Sequence, residues 1–105
     1  MKLKNINGTS DNLCSCGSWL NHWQKFSGQS LPAYCPEKDC IETNLVGAHV
    51  QKAFSVEDKW YIIPLCKTHN KSSQTIEVLD SINLVPANRS ETCGKKLSIE
   101  DLLKF

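Results

Sequence analysis

The 105-residue chain carries 12 basic and 11 acidic side chains, a net charge of +1, with three histidines and six cysteines. That near balance excludes a globally basic nucleic-acid binder, so any contact with a polyanion must come from a local patch. The length suits one small domain, residues 1–105, and no stretch approaches the ~18 apolar residues of a membrane span.

Residues 1–13 are polar and turn-rich and read as a loose lead-in. They lack the apolar run of a secretory signal, which leads to the expectation of a cytoplasmic protein with reduced, partly metal-bound cysteines. In a secreted protein the same six thiols could instead pair as disulfides. From Gly17 to Ser27 the residues Trp19, Leu20, Trp23 and Phe26 recur at helical spacing. Ser18 is placed to cap this helix and Gly28 to end it. The aromatic stripe is read as core packing, and His22 as an exposed side chain off that stripe.

Residues 28–45 form a loop carrying Cys35 and Cys40. Leu45–Val50 and Trp60–Pro64 are rich in β-branched and aromatic residues and predict two strands, joined by a polar hairpin loop from Gln51 to Lys59. Pro64 is expected to close the second strand. A short helix begins around Leu65–Cys66. Residues 75–88 predict one or two short strands bent near Asp80, and Ser98–Phe105 a closing helix with Ser98 and Asp101 as its capping pair.

The strongest chemical signal is two ligand pairs. Cys35 and Cys40 enclose four residues, and Cys66 and His69 enclose two, with 25 residues between the pairs. Soft thiolates and an imidazole in two close pairs are the donor set of a structural Zn²⁺ site. Pro36 suits the turn after Cys35 because that position needs no amide donor. Such a site contributes roughly 10–16 kcal/mol in apparent terms, enough to decide whether the middle of a small chain folds. Cys14, Cys16 and Cys93 remain, either as buried free thiols or as part of a second metal site bridging the two ends of the chain.

Knuckle, hairpin and helix, with the last two ligands in the first helical turn, is the order of a treble-clef zinc finger. The expected fold class is therefore α+β, a zinc-stapled core over residues 35–74 flanked by the amino-terminal helix and a carboxy-terminal strand–helix segment. Residues 35–71 resemble the ββα-metal core of His-Me finger (HNH-type) endonucleases. The residues that carry the resemblance are Cys35, Cys40, the strand Val46-Gly47-Ala48-His49-Val50, the strand Trp60–Leu65, and Cys66-x-x-His69-Asn70. The resemblance implies metal-dependent hydrolysis of nucleic-acid phosphodiester bonds. His49 would be the general base, and Asn70, 21 residues later, would help hold a catalytic Mg²⁺ or Mn²⁺.

The chain departs from that family's pattern at Ala48, where many members carry a further metal ligand, and at Trp60 or Tyr61, where many carry an asparagine that orients the base. Asp58 or Asp39 would have to compensate. Without the resemblance, His49 reads as a packed strand histidine or an exchanged zinc ligand, and Asn70 as a turn former. Lys52, Lys59, Lys67 and Lys71 lie around the hairpin and helix, with Glu57 and Asp58 among them. They are either a sequence-independent phosphate contact or an ordinary solvated face. The alternative function is a catalytically inactive zinc module that binds nucleic acid or a protein.

Overall fold

The computed structural model describes residues 1–6 and 18–87. The predicted Ser98–Phe105 helix and Cys14, Cys16 and Cys93 lie outside the described residues. The elements are β1 (Lys2–Asn5), α1 (Trp19–Ser27), β2 (Leu45–Lys52), β3 (Tyr61–Cys66), α2 (Lys67–Asn70), β4 (Ile76–Glu77) and β5 (Val85–Pro86). The strands form one antiparallel sheet in the order β4-β1-β2-β3-β5, and the fold is α+β.

The β2–β3 hairpin is the spine of the sheet, with six residue pairs running from Leu45 opposite Cys66 to Val50 opposite Tyr61. It is longer than the alternation predicts: β2 continues to Lys52, and β3 runs past Pro64 to Cys66. A proline is tolerated inside β3 because β5 pairs only with Tyr61 and Ile62, which leaves the outer side of Pro64 without a neighbouring strand among the described residues. Residues 75–87 resolve into two short strands with a turn at Asp80 and Ser81 between them, as the partial alternation predicts.

The first residues correct the expectation of a loose lead-in. Lys2–Asn5 is an interior strand, paired with β2 on one side and β4 on the other, and Leu3 is fully buried. Four residues with a single apolar side chain are too few for a periodic signal, and the segment becomes a strand because two distant strands offer their free edges to it.

The sheet separates two cores. One face gathers Leu3, Ala48, Val50, Ile63, Leu65, Ile76 and Val78, together with Cys35 and Cys66. The other gathers Ile62 and Val85 beneath Trp19 and Trp23 of α1. Ser18 caps α1 by accepting the Asn21 amide through its hydroxyl, and Gly28 ends it with φ +71°, a left-handed conformation that favours glycine. The buried stripe of α1 is Trp19, His22, Trp23 and Ser27, so His22 is a core residue and not the exposed one that its polarity suggested. Its position three residues after Trp19 puts it on the apolar face, and a hydrogen bond from its Nε2 to the Pro86 carbonyl (2.9 Å) compensates its burial. Trp23 Nε1 donates to the Asn83 carbonyl at 2.8 Å, and Asn83 Nδ2 returns a bond to the Ser27 carbonyl at 2.8 Å. These bonds fasten α1 to the segment leading into β5.

Gly47 sets how closely α1 approaches. A Cβ there would lie 2.4 Å from the Trp19 carbonyl carbon and 2.5 Å from the Leu20 amide nitrogen, both rigid backbone atoms. Only glycine lets the start of α1 rest directly on β2.

Candidate metal centre

The knuckle is built by backbone bonds that leave its two sulfurs pointing inward. The Cys35 amide donates to the Glu42 carbonyl (2.8 Å), and the Cys40 amide donates to the Glu37 carbonyl (3.1 Å). Asp39 takes a left-handed conformation, φ 69°, which turns the chain back toward Cys40. Pro36 gives up no needed donor, and its carbonyl accepts the Leu79 amide at 2.9 Å. Together with the bond from the Lys38 amide to the Glu77 carbonyl (2.9 Å), this braces the knuckle against the segment around β4.

The second pair sits where β3 becomes α2. Cys66 is both the last residue of β3 and the cap of α2, its sulfur accepting the His69 amide at 3.5 Å. The Cys66 amide in turn donates to the Cys35 sulfur at 3.4 Å. One helical turn from Cys66 brings the His69 ring back over the same point.

The four ligand atoms of Cys35, Cys40, Cys66 and His69 all lie within 4.8 Å of one another, close enough to hold a metal ion. His69 Nδ1 is 3.6 Å from Cys35 Sγ and 3.1 Å from Cys66 Sγ, and the sulfurs of Cys40 and Cys66 are 4.0 Å apart. A tetrahedral ion with Zn–S near 2.3 Å and Zn–N near 2.0–2.1 Å requires S···S of about 3.8 Å and S···N of about 3.5 Å. These three spacings lie within about half an ångström of those values. Two of the ligands, Cys35 and Cys66, are only 3% exposed.

Burial, the largest influence, pushes the Cys35 thiol up to about 12. A thiolate there needs a cation beside it, which a divalent ion supplies. Three thiolates and an imidazole are a donor set that suits zinc better than harder ions, and four protein ligands would fill a tetrahedral shell with no position left for a reacting water. Among the described residues this is the one group of three or more Cys, His, Asp or Glu ligands that converges in this way.

His49 lies elsewhere. It pairs with Ile62 in the hairpin, so its ring points to the α1 face, where it is 4% exposed. The ring meets Trp19 edge-on at 4.6 Å between centroids and Trp60 at 6.2 Å. Burial chiefly, and the neighbouring His22 secondarily, push its pKa down to about 4. Asn70 ends α2, and its backbone carbonyl accepts a hydrogen bond from the side-chain amide of Asn5. Asn5 stands opposite Val50, whose side chain belongs to the other core. Strand alternation thus puts the Asn70 backbone on the face of Val50 and the His49 ring on the face of α1.

Lys67 and Lys71 are exposed at the two ends of α2, whereas Lys52 pairs with Glu57 at 3.3 Å and lies over the Tyr61 ring. Lys59, Asp58 and Asp39 are exposed. Two residues of consequence are not placed from the sequence: His22 reads there as exposed, and Glu37 is not singled out. His22 was legible, since positions 19, 22, 23 and 26 share one helix face. Glu37, inside the knuckle, had no signal beyond its place between the two cysteines. Among the described residues no helix is long and apolar enough to cross a membrane. Comparison with family models, with curated proteins and with solved structures finds no match, so the reading of this centre rests on its own geometry.

Proposed function

We propose that the protein is a zinc-stapled, treble-clef-like binding module whose metal is structural, and that it does not cleave phosphodiester bonds through His49. The observation that carries this reading is the burial of the His49 ring against Trp19 on the face opposite the Asn70 backbone. A general base must reach a water and take its proton near neutral pH. A ring sealed under a tryptophan, with a pKa of about 4, does neither. The order of knuckle, β2–β3 hairpin and α2 supports the treble-clef layout, and the closed Cys₃His set supports a structural role for zinc. Support for a binding role comes from the β2–β3 hairpin, where Phe54 and Val56 stand almost wholly in solvent beside Lys59.

The test is a paired assay on the purified full chain. Metal analysis should find one zinc per chain, and incubation with plasmid DNA or RNA in Mg²⁺ or Mn²⁺ should leave the nucleic acid intact. The His49→Gln variant should keep its zinc. Cleavage that depends on added Mg²⁺ or Mn²⁺ and disappears in His49→Gln, with zinc retained, would establish instead the endonuclease that the resemblance to His-Me fingers implies.

A further inference from the structure

Only one nitrogen of His69 faces the sulfurs. Nδ1 lies among them, 3.6 Å from Cys35 Sγ and 3.1 Å from Cys66 Sγ, while Nε2 points away and lies 3.5 Å from Oε2 of Glu37. Both side chains are largely withdrawn from solvent, His69 at 25% and Glu37 at 22% exposure. The knuckle fixes Glu37 by its main chain. Its carbonyl accepts the Cys40 amide, and its backbone bridges to Val78. The turn that presents the two sulfurs therefore also aims this carboxylate at the imidazole.

We propose that Glu37 is a positioning residue of the metal centre. Its carboxylate accepts a hydrogen bond from the Nε2–H of His69, which holds the ring in the tautomer whose Nδ1 lone pair points at the metal and fixes the ring plane. A ligating histidine needs such an outer partner, because a free imidazole can present either nitrogen and rotate about its bond to Cβ. Lys38, the next residue, reaches Glu77 at 3.9 Å, which leaves the Glu37 carboxylate to the ring. The inference rests on the zinc reading above.

The test measures zinc affinity of the full chain by competition with a chromophoric chelator, for the wild type, Glu37→Ala and Glu37→Gln. The alanine variant is expected to bind zinc about 10–100-fold more weakly, the range for removal of an outer-shell partner. Glutamine keeps an acceptor oxygen and should recover much of that loss. In proton NMR of the zinc-loaded wild type, the His69 Nε2–H should be protected from exchange, and that protection should vanish in Glu37→Ala. A stoichiometric wild-type zinc site with unchanged affinity in Glu37→Ala overturns the role of Glu37 alone. Glutamine as damaging as alanine, with the Nε2–H still protected in both, also overturns it, since only a packing role would do that. A wild-type chain that takes up no zinc overturns the metal reading itself and this inference with it.

Discussion

His22 and His49 flank the Trp19 ring at 5.0 and 4.6 Å between centroids, so the interface between α1 and the sheet contains two imidazoles. Both are pushed toward the neutral form. Burial lowers the His49 pKa to about 4, and burial also lowers that of His22 against the opposing effect of its bond to Pro86. The sign of the consequence follows from proton counting. Between pH 6.5 and pH 4 the unfolded chain takes up a proton at residue 49 that the folded chain refuses, so stability falls as pH drops through that window and is unaffected above it. The His49 contribution is on the order of 3 kcal/mol across the window. Urea unfolding of zinc-loaded protein at a series of pH values should therefore show a shallower decline for His49→Phe than for the wild type. The acid response of the zinc ligands is common to both proteins and cancels in the comparison. Equal slopes would mean that the ring is not sealed.

At the scale of elements, the contact between α1 and β2 depends on the missing side chain of Gly47. Gly47→Ala would drive a methyl group into the backbone of Trp19 and Leu20, and neither atom can rotate away. The expected cost is about 1–3 kcal/mol or more, read as a lowered denaturation midpoint. Because His49 packs beneath the same helix, the variant should also raise the solvent accessibility of Trp19, measured by fluorescence quenching. A glycine in a strand signals a bulge or a close approach without saying which, and only the position of α1 resolves it. The strand β1 illustrates the same limit from the other side. Its identity comes from pairing with Val50–Lys52 and with Ile76–Glu77, contacts that span most of the chain and leave no local trace.

For the whole molecule, a metal ion held by the four ligands would close the contact between the knuckle and the end of β3. The 17 residues from Gly28 to Asn44 contain no helix or paired strand beyond the single bridge at Glu37, and an ion at this centre would clamp the loop to the end of β3 and the start of α2. Cys35 and Cys66 are also members of the first core, so opening the clamp exposes apolar surface as well as thiols. Apparent zinc-binding energies of roughly 10–16 kcal/mol match or exceed the whole net stability of an ordinary domain. Chelation, or Cys40→Ser, is expected to abolish cooperative thermal unfolding and to make the segment 28–44 the first site of proteolytic cleavage. A chain equally stable with and without chelator would show that the four ligands converge for packing alone.

The donor set of the metal centre, the α1 helix with both its caps and the β2–β3 hairpin were legible in the sequence because each is written locally. Ligand pairs sit a few residues apart, Ser18 and Gly28 bracket one apolar period, and β-branched runs flank a polar turn. The facing of each strand was not legible. Period-two alternation assigns His49 and Val50 to opposite sides of the sheet but does not say which side α1 or α2 will cover, and that choice separates a base in a cleft from a ring under a tryptophan. Only the tertiary structure decided it, because the covering elements come from distant parts of the chain, and their packing is selected by the shape of both surfaces together.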